Sequence, residues 1–223
     1  MKFFRSVIQK LFTLYIFIIL LVSCAASKVQ TQDEKHSVDM TSYSVNVPPG
    51  GDWQMGINKE KEIVTFQRPK KWWTGQVLGS TLIQIFRDEV SPQGWLRSEE
   101  DIADDVRNDE ERMMREEGVN KGVYQLLDVK KNIEAINGMK LYTMYYVVDA
   151  ELPGGFAKHG MNAHRHQEAM LYLYIPPDFK EKHVLFRFLI NEDCQRGSLG
   201  CRADLTQIHA VINSFRVKGT VTK

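Results

Sequence analysis

Three histidines cluster in the middle of the chain, in a segment that opens with Pro153-Gly154-Gly155. His164 and His166 are two residues apart, so in an extended strand both imidazoles face the same side. If His159 folds back from the glycine-containing loop and Glu168 continues the alternation, this set could hold Zn²⁺ or Cu²⁺. A polar strand end with solvated histidines and a pH-sensitive contact are the alternatives that the same residues allow.

A second cluster combines two cations with two large aromatic side chains. Lys70, Lys71, Trp72 and Trp73 follow Pro69 and stand between two predicted strands. Indole rings beside lysines are typical of membrane interfaces, and tryptophan also dominates many binding hot spots. The sequence therefore indicates a surface-contact site for a membrane, a protein or a glycan. The alternative is that one tryptophan packs in the core while the lysines are solvated.

Motifs of known catalytic chemistry are missing from the sequence. It contains no glycine-rich phosphate loop, no Gly-x-Ser-x-Gly elbow and no His-Glu-x-x-His pair. The many carboxylates between residues 99 and 117 are expected to form the solvated face of a helix. The 29 basic and 28 acidic residues nearly cancel, so no overall field would attract nucleic acid. We therefore expect a non-enzymatic protein without a nucleic-acid partner, and a hydrolase with a convergent site is a third hypothesis.

The first residues have the layout of an export signal. Lys2, Arg5 and Lys10 precede an apolar run from Leu11 to Val22, and this run is shorter than the roughly 20 residues that span a bilayer as a helix. A basic start followed by a short apolar run is typical of a secretory signal peptide. The run ends in Leu21-Val22-Ser23-Cys24, which resembles the lipobox of bacterial lipoproteins.

The lipobox resemblance implies a role for each part of the N-terminal region. Residues 1–23 would be removed as a signal peptide, and Cys24 would carry diacylglycerol on its sulfur and an N-acyl lipid on its new amino group. Three acyl chains make attachment to a bilayer effectively permanent, since one chain alone holds a protein only marginally. Ala25 in place of an aspartate implies sorting to the outer membrane, facing the periplasm. Residues 24–40 are then the lipidated cysteine and a flexible tether.

Two further cysteines stand near the C-terminal end of the sequence. Cys194 and Cys201 have six residues between them, and an exported chain folds in a compartment that permits disulfides. We predict a local disulfide that contributes on the order of 2–3 kcal/mol. Redox catalysis would favour the tighter Cys-x-x-Cys spacing.

Residues 41–223 are predicted to form a single α+β domain. The pattern favours a mostly antiparallel sheet of about six or seven strands covered by helices. Asn137-Gly138 is typical of a type I′ hairpin turn, and Ser98 with Asp101 suits the start of a helix. The predicted strands are Tyr43–Val47, Glu62–Gln67, Ser80–Arg87, Gln125–Ile136, Met139–Asp149, Glu168–Ile175 and His183–Ile190, and the predicted helices are Ser98–Glu117, stopped by Gly118, and Leu205–Phe215.

The order of these elements is similar to that of the PsbP/Mog1-type α-β-α sandwich. The similarity rests on the strand Tyr43–Val47 with Pro48 and Trp53, on the helix Ser98–Glu117, and on a terminal helix that ends in Ser214-Phe215. Members of that family are mainly small adaptor or assembly proteins without a shared catalytic site. The resemblance therefore implies partner binding and names no reaction.

Two functional hypotheses follow from the sequence. The first is a membrane-anchored envelope lipoprotein whose non-enzymatic periplasmic domain binds a protein partner or assists assembly. The second is a periplasmic lipoprotein that binds a metal or small ligand through His159, His164 and His166. The first needs no cofactor besides the covalent lipid on Cys24, and the second needs zinc or copper.

Overall fold

The computed structural model describes residues 37–71, 77–91, 96–121, 124–151, 164–178, 180, 183–195 and 204–218, which belong to one unit, His36–Lys223. Lipidation, the disulfide, the tryptophan contact and one histidine ligand stay predictions, because their residues lie outside the described ranges: Cys24, Cys201, Trp72, Trp73 and His159. The strand positions of three other predicted site residues are described: Lys71, His164 and Cys194.

Ten strands and two helices make up the described part of the chain. The strands are β1 (Ser37–Asp39), β2 (Tyr43–Asn46), β3 (Gln54–Asn58), β4 (Ile63–Lys71), β5 (Val77–Glu89), β6 (Tyr124–Ile136), β7 (Met139–Glu151), β8 (His164–Tyr174), β9 (Val184–Gln195) and β10 (Arg216–Val217). The helices are α1 (Glu99–Lys121) and α2 (Leu205–Ser214).

The strands form two antiparallel sheets. Seven of them stand in the order β3-β4-β5-β9-β8-β7-β6, and the other three in the order β1-β2-β10. The pairing of β5 with β9 joins the N-terminal hairpins to the C-terminal ones. The larger sheet confirms the predicted α+β architecture with a mostly antiparallel sheet, although the described residues include only two helices to cover it.

The seven-stranded sheet has an apolar core on each face. We call them the α2 face, which α2 and the three-stranded sheet cover, and the α1 face, on which α1 packs. In β8, Met170 and Tyr172 belong to the α2 face, whereas Leu171 and Leu173 belong to the α1 face. Because side chains alternate along a strand, a strand buried on both faces reads as a continuous apolar run.

Helix α1 begins where the sequence predicts and ends later. The Asp101 N–H donates to Ser98 Oγ at 3.1 Å, and Ser98 Oγ donates to Asp101 Oδ2 at 2.6 Å, which satisfies free backbone donors of the first turn. Gly118 does not stop the helix, which runs to Lys121, because a helical glycine costs only about 1 kcal/mol relative to alanine. Met113 shares the apolar spacing of Ile102 and Val106, which predicts one buried face, but it is 50% exposed.

Four other features differ from the sequence-based expectations. Strand β1 (Ser37–Asp39) occupies residues that the sequence assigned to the tether, and β3 and β10 are strands that the pattern did not predict. Strand β4 continues through Lys70 and Lys71, so these lysines lie within a strand and not between two strands. Pro69 is compatible with this position because β3 pairs with β4 only as far as Gln67, which leaves the rest of β4 at the sheet edge.

The hairpin between β6 and β7 turns at the predicted dipeptide. Asn137 has φ 52° and Gly138 has φ 76°, as a type I′ turn requires. Replacing Gly138 by alanine meets no atom within 4 Å, so we expect only the conformational cost of a left-handed residue, about 1 kcal/mol, in urea unfolding. Gly51 has equally open space without a left-handed φ, and Gly51→Ala should leave stability unchanged or slightly raised. Equal losses for both variants would contradict this account.

Candidate functional site

His166 lies on the α2 face of β8 between two carboxylates. Its partner in the strand register is Asp149 of β7, whose Oδ1 lies 2.8 Å from His166 Nδ1. Glu168, two residues along the same strand, places Oε1 3.8 Å from His166 Nε2. The predicted neighbours His166 and Glu168 therefore do share one face, as the alternation required.

The rest of the predicted metal set is only partly described. His164 is the first residue of β8, in register with Glu151. Within the described ranges, no group of three or more His, Cys, Asp or Glu side chains is arranged to hold a metal ion. Because His159 is outside those ranges, the metal site stays a prediction.

Lys70 belongs to a buried ion pair. Its Nζ lies 2.6 Å from Glu192 Oε2, and the Glu192 side chain is 1% exposed while that of Lys70 is 33% exposed. Thr81 Oγ1 donates to the other Glu192 oxygen at 2.8 Å. A charge this deeply buried needs such partners, because desolvation of an unpaired carboxylate is costly. Lys70 thus has a structural partner that the surface-contact hypothesis did not include.

The Lys70–Glu192 ion pair is next to the group formed by His166, Asp149 and Glu168 on the neighbouring strands. Glu192 and Glu168 are register partners on β9 and β8, so the row continues from Lys70 through the two glutamates to His166 and Asp149. We call this set, with Thr81, the polar end of the α2 face. The sequence did not identify Glu192 or Asp149, since a paired carboxylate cannot be distinguished from a solvated one without its cross-strand neighbours.

A groove on the opposite, α1 face has a different character. Its volume is about 280 Å³ and it lies between α1 and the sheet, with contributions from four strands. Apolar side chains supply most of the wall, and amide, phenol and carboxyl groups project among them. The lining residues are Glu110, Met113, Met114, Leu126, Tyr146, Val148, Gln167 and Asn191.

Two polar groups in the groove lack strong partners. Burial raises the pKa of the Glu110 carboxyl, and the charge of Arg187 acts in the opposite direction; Arg187 Nη1 is 4.0 Å from Glu110 Oε2. Asn191 Oδ1 is buried without a hydrogen-bond partner among the described residues. Burial also raises the pKa of Tyr146, and the charge of Glu110 adds to that effect. An apolar pocket with a desolvated titratable group is a candidate binding site.

Helix α1, which forms one side of this groove, has an excess of acidic residues and is fixed to the sheet. It contains ten acidic and four basic residues. Arg107, which is 5% exposed, donates from Nη1 to the carbonyl oxygens of Asn132 at 3.0 Å and Thr143 at 3.2 Å, and it also pairs with Asp104. The acidic face of α1 therefore occupies a defined position beside the groove. The sequence alone predicts these acids to be a solvated face, without the groove beside them.

Glu110 and its neighbour Glu111 should respond oppositely to pH. A carboxyl whose pKa is raised on folding contributes most stability at low pH and loses it as pH rises through the folded-state pKa. Glu110→Gln should therefore raise the Tm at pH 7.5, and the difference should vanish below the ordinary glutamate pKa of about 4.3. Hydrogen bonds from Lys131 and Arg115 lower the pKa of Glu111, so Glu111→Gln should lower the Tm at pH 7.5 and have little effect in acid. Thermal unfolding at both pH values tests the pair, and the same sign for both variants would contradict the assignment.

Neither helix of the described residues combines the length and apolar content needed to cross a bilayer.

No protein-family model matches the chain, and no curated protein matches it. Among solved structures, the chain is similar to the solution structure of cyanobacterial PsbP (CyanoP) from Synechocystis sp. PCC 6803, with 14% identity, 86% of this chain and 100% of that chain covered, and a TM-score of 0.36. PsbP is also part of the name of the fold family that the element order resembles. At this TM-score the match does not define the fold, which rests on the strand order described above.

Proposed function

We propose that this chain is a lipid-anchored protein of a bacterial envelope whose folded domain binds a protein partner and catalyses no reaction. The single observation that carries the proposal is the open groove beside α1, in which apolar side chains surround the Glu110 carboxyl. Protein-binding surfaces combine apolar and polar groups in this way. The lining residues include no serine, cysteine or histidine that Glu110 could activate, which favours binding over nucleophilic catalysis.

The groove continues onto an incompletely covered part of the sheet. Helix α1 packs chiefly on β6 and β7. On β4, β5 and β9, the same face carries half-buried apolar side chains, and these strands lie side by side in the sheet. Register and parity place them together on the α1 face: Ile63, Leu82, Phe86 and Leu189. A partner seated in the groove could extend over this surface.

Site-specific photocrosslinking in cells tests the binding function. A photoreactive residue at Met113 or Leu82 would sample the groove and the adjoining sheet face, and one at Met55 is a matched control, since Met55 is 37% exposed on β3. We expect one protein to be captured from Met113 and Leu82 and not from Met55. That protein, once purified, should bind the purified chain and lose binding to a Met113→Asp variant. Capture that is equal at all three positions would overturn the proposal.

Lipid attachment is tested separately through Cys24. Mass spectrometry of the N-terminal peptide of the mature chain should find residues 1–23 removed and the diacylglyceryl and N-acyl groups present on Cys24. A Cys24→Ala variant should lose the lipid and leave the membrane fraction. Retention of the signal sequence, or an unmodified cysteine, would refute the lipoprotein part of the proposal. If the partner is captured only with the lipidated chain, the tether brings the domain to its partner.

A second candidate function is metal binding at the polar end of the α2 face. The observation that favours it is the position of His166, whose Nδ1 is held by Asp149 while Nε2 faces Glu168. Metal-binding histidines commonly use one ring nitrogen for the metal and the other for a carboxylate that fixes the ring. His164 and His159 are the further ligands that the sequence predicts for this set. Zinc or copper would complete this set.

Calorimetric titration of the purified chain with Zn²⁺ and with Cu²⁺ tests this second function. We expect saturable heat with the wild type and none with the His164→Ala/His166→Ala double variant. His209 lies on α2, where its Nε2 is 2.9 Å from the Tyr172 hydroxyl, and His209→Ala is the matched control that should bind as the wild type does. Identical heats for all three proteins would end the metal hypothesis.

A further inference from the structure

We propose that the groove on the α1 face receives a lysine or arginine side chain of the partner protein. This inference rests on the proposed binding function and specifies its chemistry. The groove combines an apolar wall with a carboxyl group, which suits a ligand with an apolar stem and a charged head. A long basic side chain has this form. Its methylene groups would lie against the apolar wall, and its head would reach Glu110. The wall is formed by Met113, Met114, Leu126 and Val148.

The polar groups in the groove favour a ligand that only donates hydrogen bonds. The Glu110 carboxylate accepts hydrogen bonds, and Asn191 Oδ1 is a buried acceptor without a partner among the described residues. Ammonium and guanidinium groups carry donors and no acceptor. A cation beside Glu110 would satisfy the carboxylate, and the ring of Tyr146, which also lines the groove, offers a face for such a cation.

The basic group already near Glu110 is occupied elsewhere. Arg187 Nη2 donates to Asp88 Oδ1 at 3.1 Å, and its Nε also pairs with Asp88. The Arg187 guanidinium stacks over the ring of Phe86, 5.2 Å from its centroid. It is therefore 4.0 Å away from Glu110 at its nearest and its charge is shared with a second carboxylate. Asp88, Arg187 and Glu110 together carry one negative charge in excess when Glu110 is ionised, and an added cation would balance it.

Other ligand chemistries fit this groove less well. An anionic side chain would approach Glu110 on a helix with ten acidic and four basic residues, and like charges brought together disfavour binding. A purely apolar side chain would bury Glu110 further without giving it a partner, which increases the desolvation cost. A neutral donor would leave the charge of Glu110 unmatched. The charge pattern thus selects the basic side chain.

Small-molecule probes test the inference on the protein purified from membranes in neutral detergent. Butylguanidinium and butylammonium represent the basic side chains, and butylurea is the neutral counterpart of the former. Binding is measured at low salt, where charge interactions are least screened, from the NMR methyl signals of Met113 and Met114. We expect saturable shifts with a dissociation constant on the order of 10 mM for the two cations, as suits so small a ligand.

Two charge-removing variants distinguish a specific contact from a general field. Glu110→Gln keeps the shape of the groove and should weaken cation binding about tenfold. Asp109→Asn removes the same charge from the adjacent residue of α1, which is exposed and paired with Arg112 at 2.9 Å, and should leave binding unchanged. Binding of butylurea equal to that of butylguanidinium, equal effects of the two variants, or the absence of saturable shifts would each overturn the inference.

The outcomes also separate this inference from the binding function beneath it. If a partner is captured at Met113 and still binds Glu110→Gln with full affinity, the domain binds proteins but not through a cation in the groove. If the cations bind and no partner is captured in cells, the groove has the inferred chemistry and the proposed binding function is wrong.

Discussion

Replacing Phe215 by alanine is expected to lower the free energy of unfolding by about 3–5 kcal/mol, the range observed for buried phenylalanines. Phe215 is 2% exposed and follows α2 directly. Its ring centroid lies 4.8 Å from that of Phe188, 5.0 Å from Phe186, 5.4 Å from Tyr43 and 6.3 Å from Tyr174. The ring thus contacts both sheets at once, and its removal opens a cavity at their junction that the surrounding strands cannot fill.

Urea unfolding monitored by circular dichroism measures this loss. Ile133→Ala is a suitable control, because Ile133 is 49% exposed on the edge strand β6 and its truncation should cost below about 1 kcal/mol. If Phe215→Ala lowers the free energy of unfolding by no more than Ile133→Ala does, the aromatic side chains between the two sheets relax around the missing ring. Such a result would also mean that the three-stranded sheet is held mainly by its own hydrogen bonds.

Removal of Lys70 should have the second largest effect. Lys70→Met leaves Glu192 buried with the Thr81 hydroxyl as its one remaining partner among the described residues, and loss of one member of a buried pair costs about 3 kcal/mol. Replacing Glu192 should lower the free energy of unfolding less than replacing Lys70. In Glu192→Gln, the amide oxygen can still accept from Thr81, and Lys70, being one-third exposed, can turn its charge to solvent.

A double-mutant cycle isolates the interaction between the two side chains. The combined Lys70→Met/Glu192→Gln variant should recover most of the stability that Lys70→Met alone loses, because no unpaired charge remains buried. Lys130, which pairs with Asp128 on the exposed side of β6, is the control, and Lys130→Met should leave stability nearly unchanged. Additive effects in the cycle, or a larger loss for Glu192→Gln than for Lys70→Met, would show that the ion pair does not stabilise this part of the sheet.

Local signals in the sequence predicted the elements that local chemistry determines. The Asn137-Gly138 turn and the Ser98 cap are found at the predicted residues, because each depends on groups within a few positions of one another. Strands β1, β3 and β10 were missed for the opposite reason. They are two to five residues long and exist only through pairing with other strands, which no short window of sequence records.

The candidate sites show the same division. The alternation of His166 and Glu168 was sufficient to place them on one face, but the sequence gives no sign that Glu192 would stand opposite Glu168. No pattern in the sequence predicts the groove, because its lining residues come from α1 and four separate strands. Met113 continues the apolar spacing of α1, which predicts a core residue, but it is 50% exposed and lines the groove. The excess of acidic residues on α1 can be read from the sequence, whereas the burial of Glu110 cannot.

The pairing of β2 with β10 fixes the order in which this domain can be completed during synthesis. The Lys218 N–H donates to the Ser42 carbonyl at 2.8 Å, and β10, the last described strand, lies beside β2. In the larger sheet, β5 pairs with β4 on one side and with the distant strand β9 on the other. Contacts between distant segments form late because loop closure must come first. A chain that emerges N-terminus first cannot finish the larger sheet until β9 is released, or the smaller one until β10 is released. The architecture itself therefore delays the completion of both sheets to the last part of synthesis.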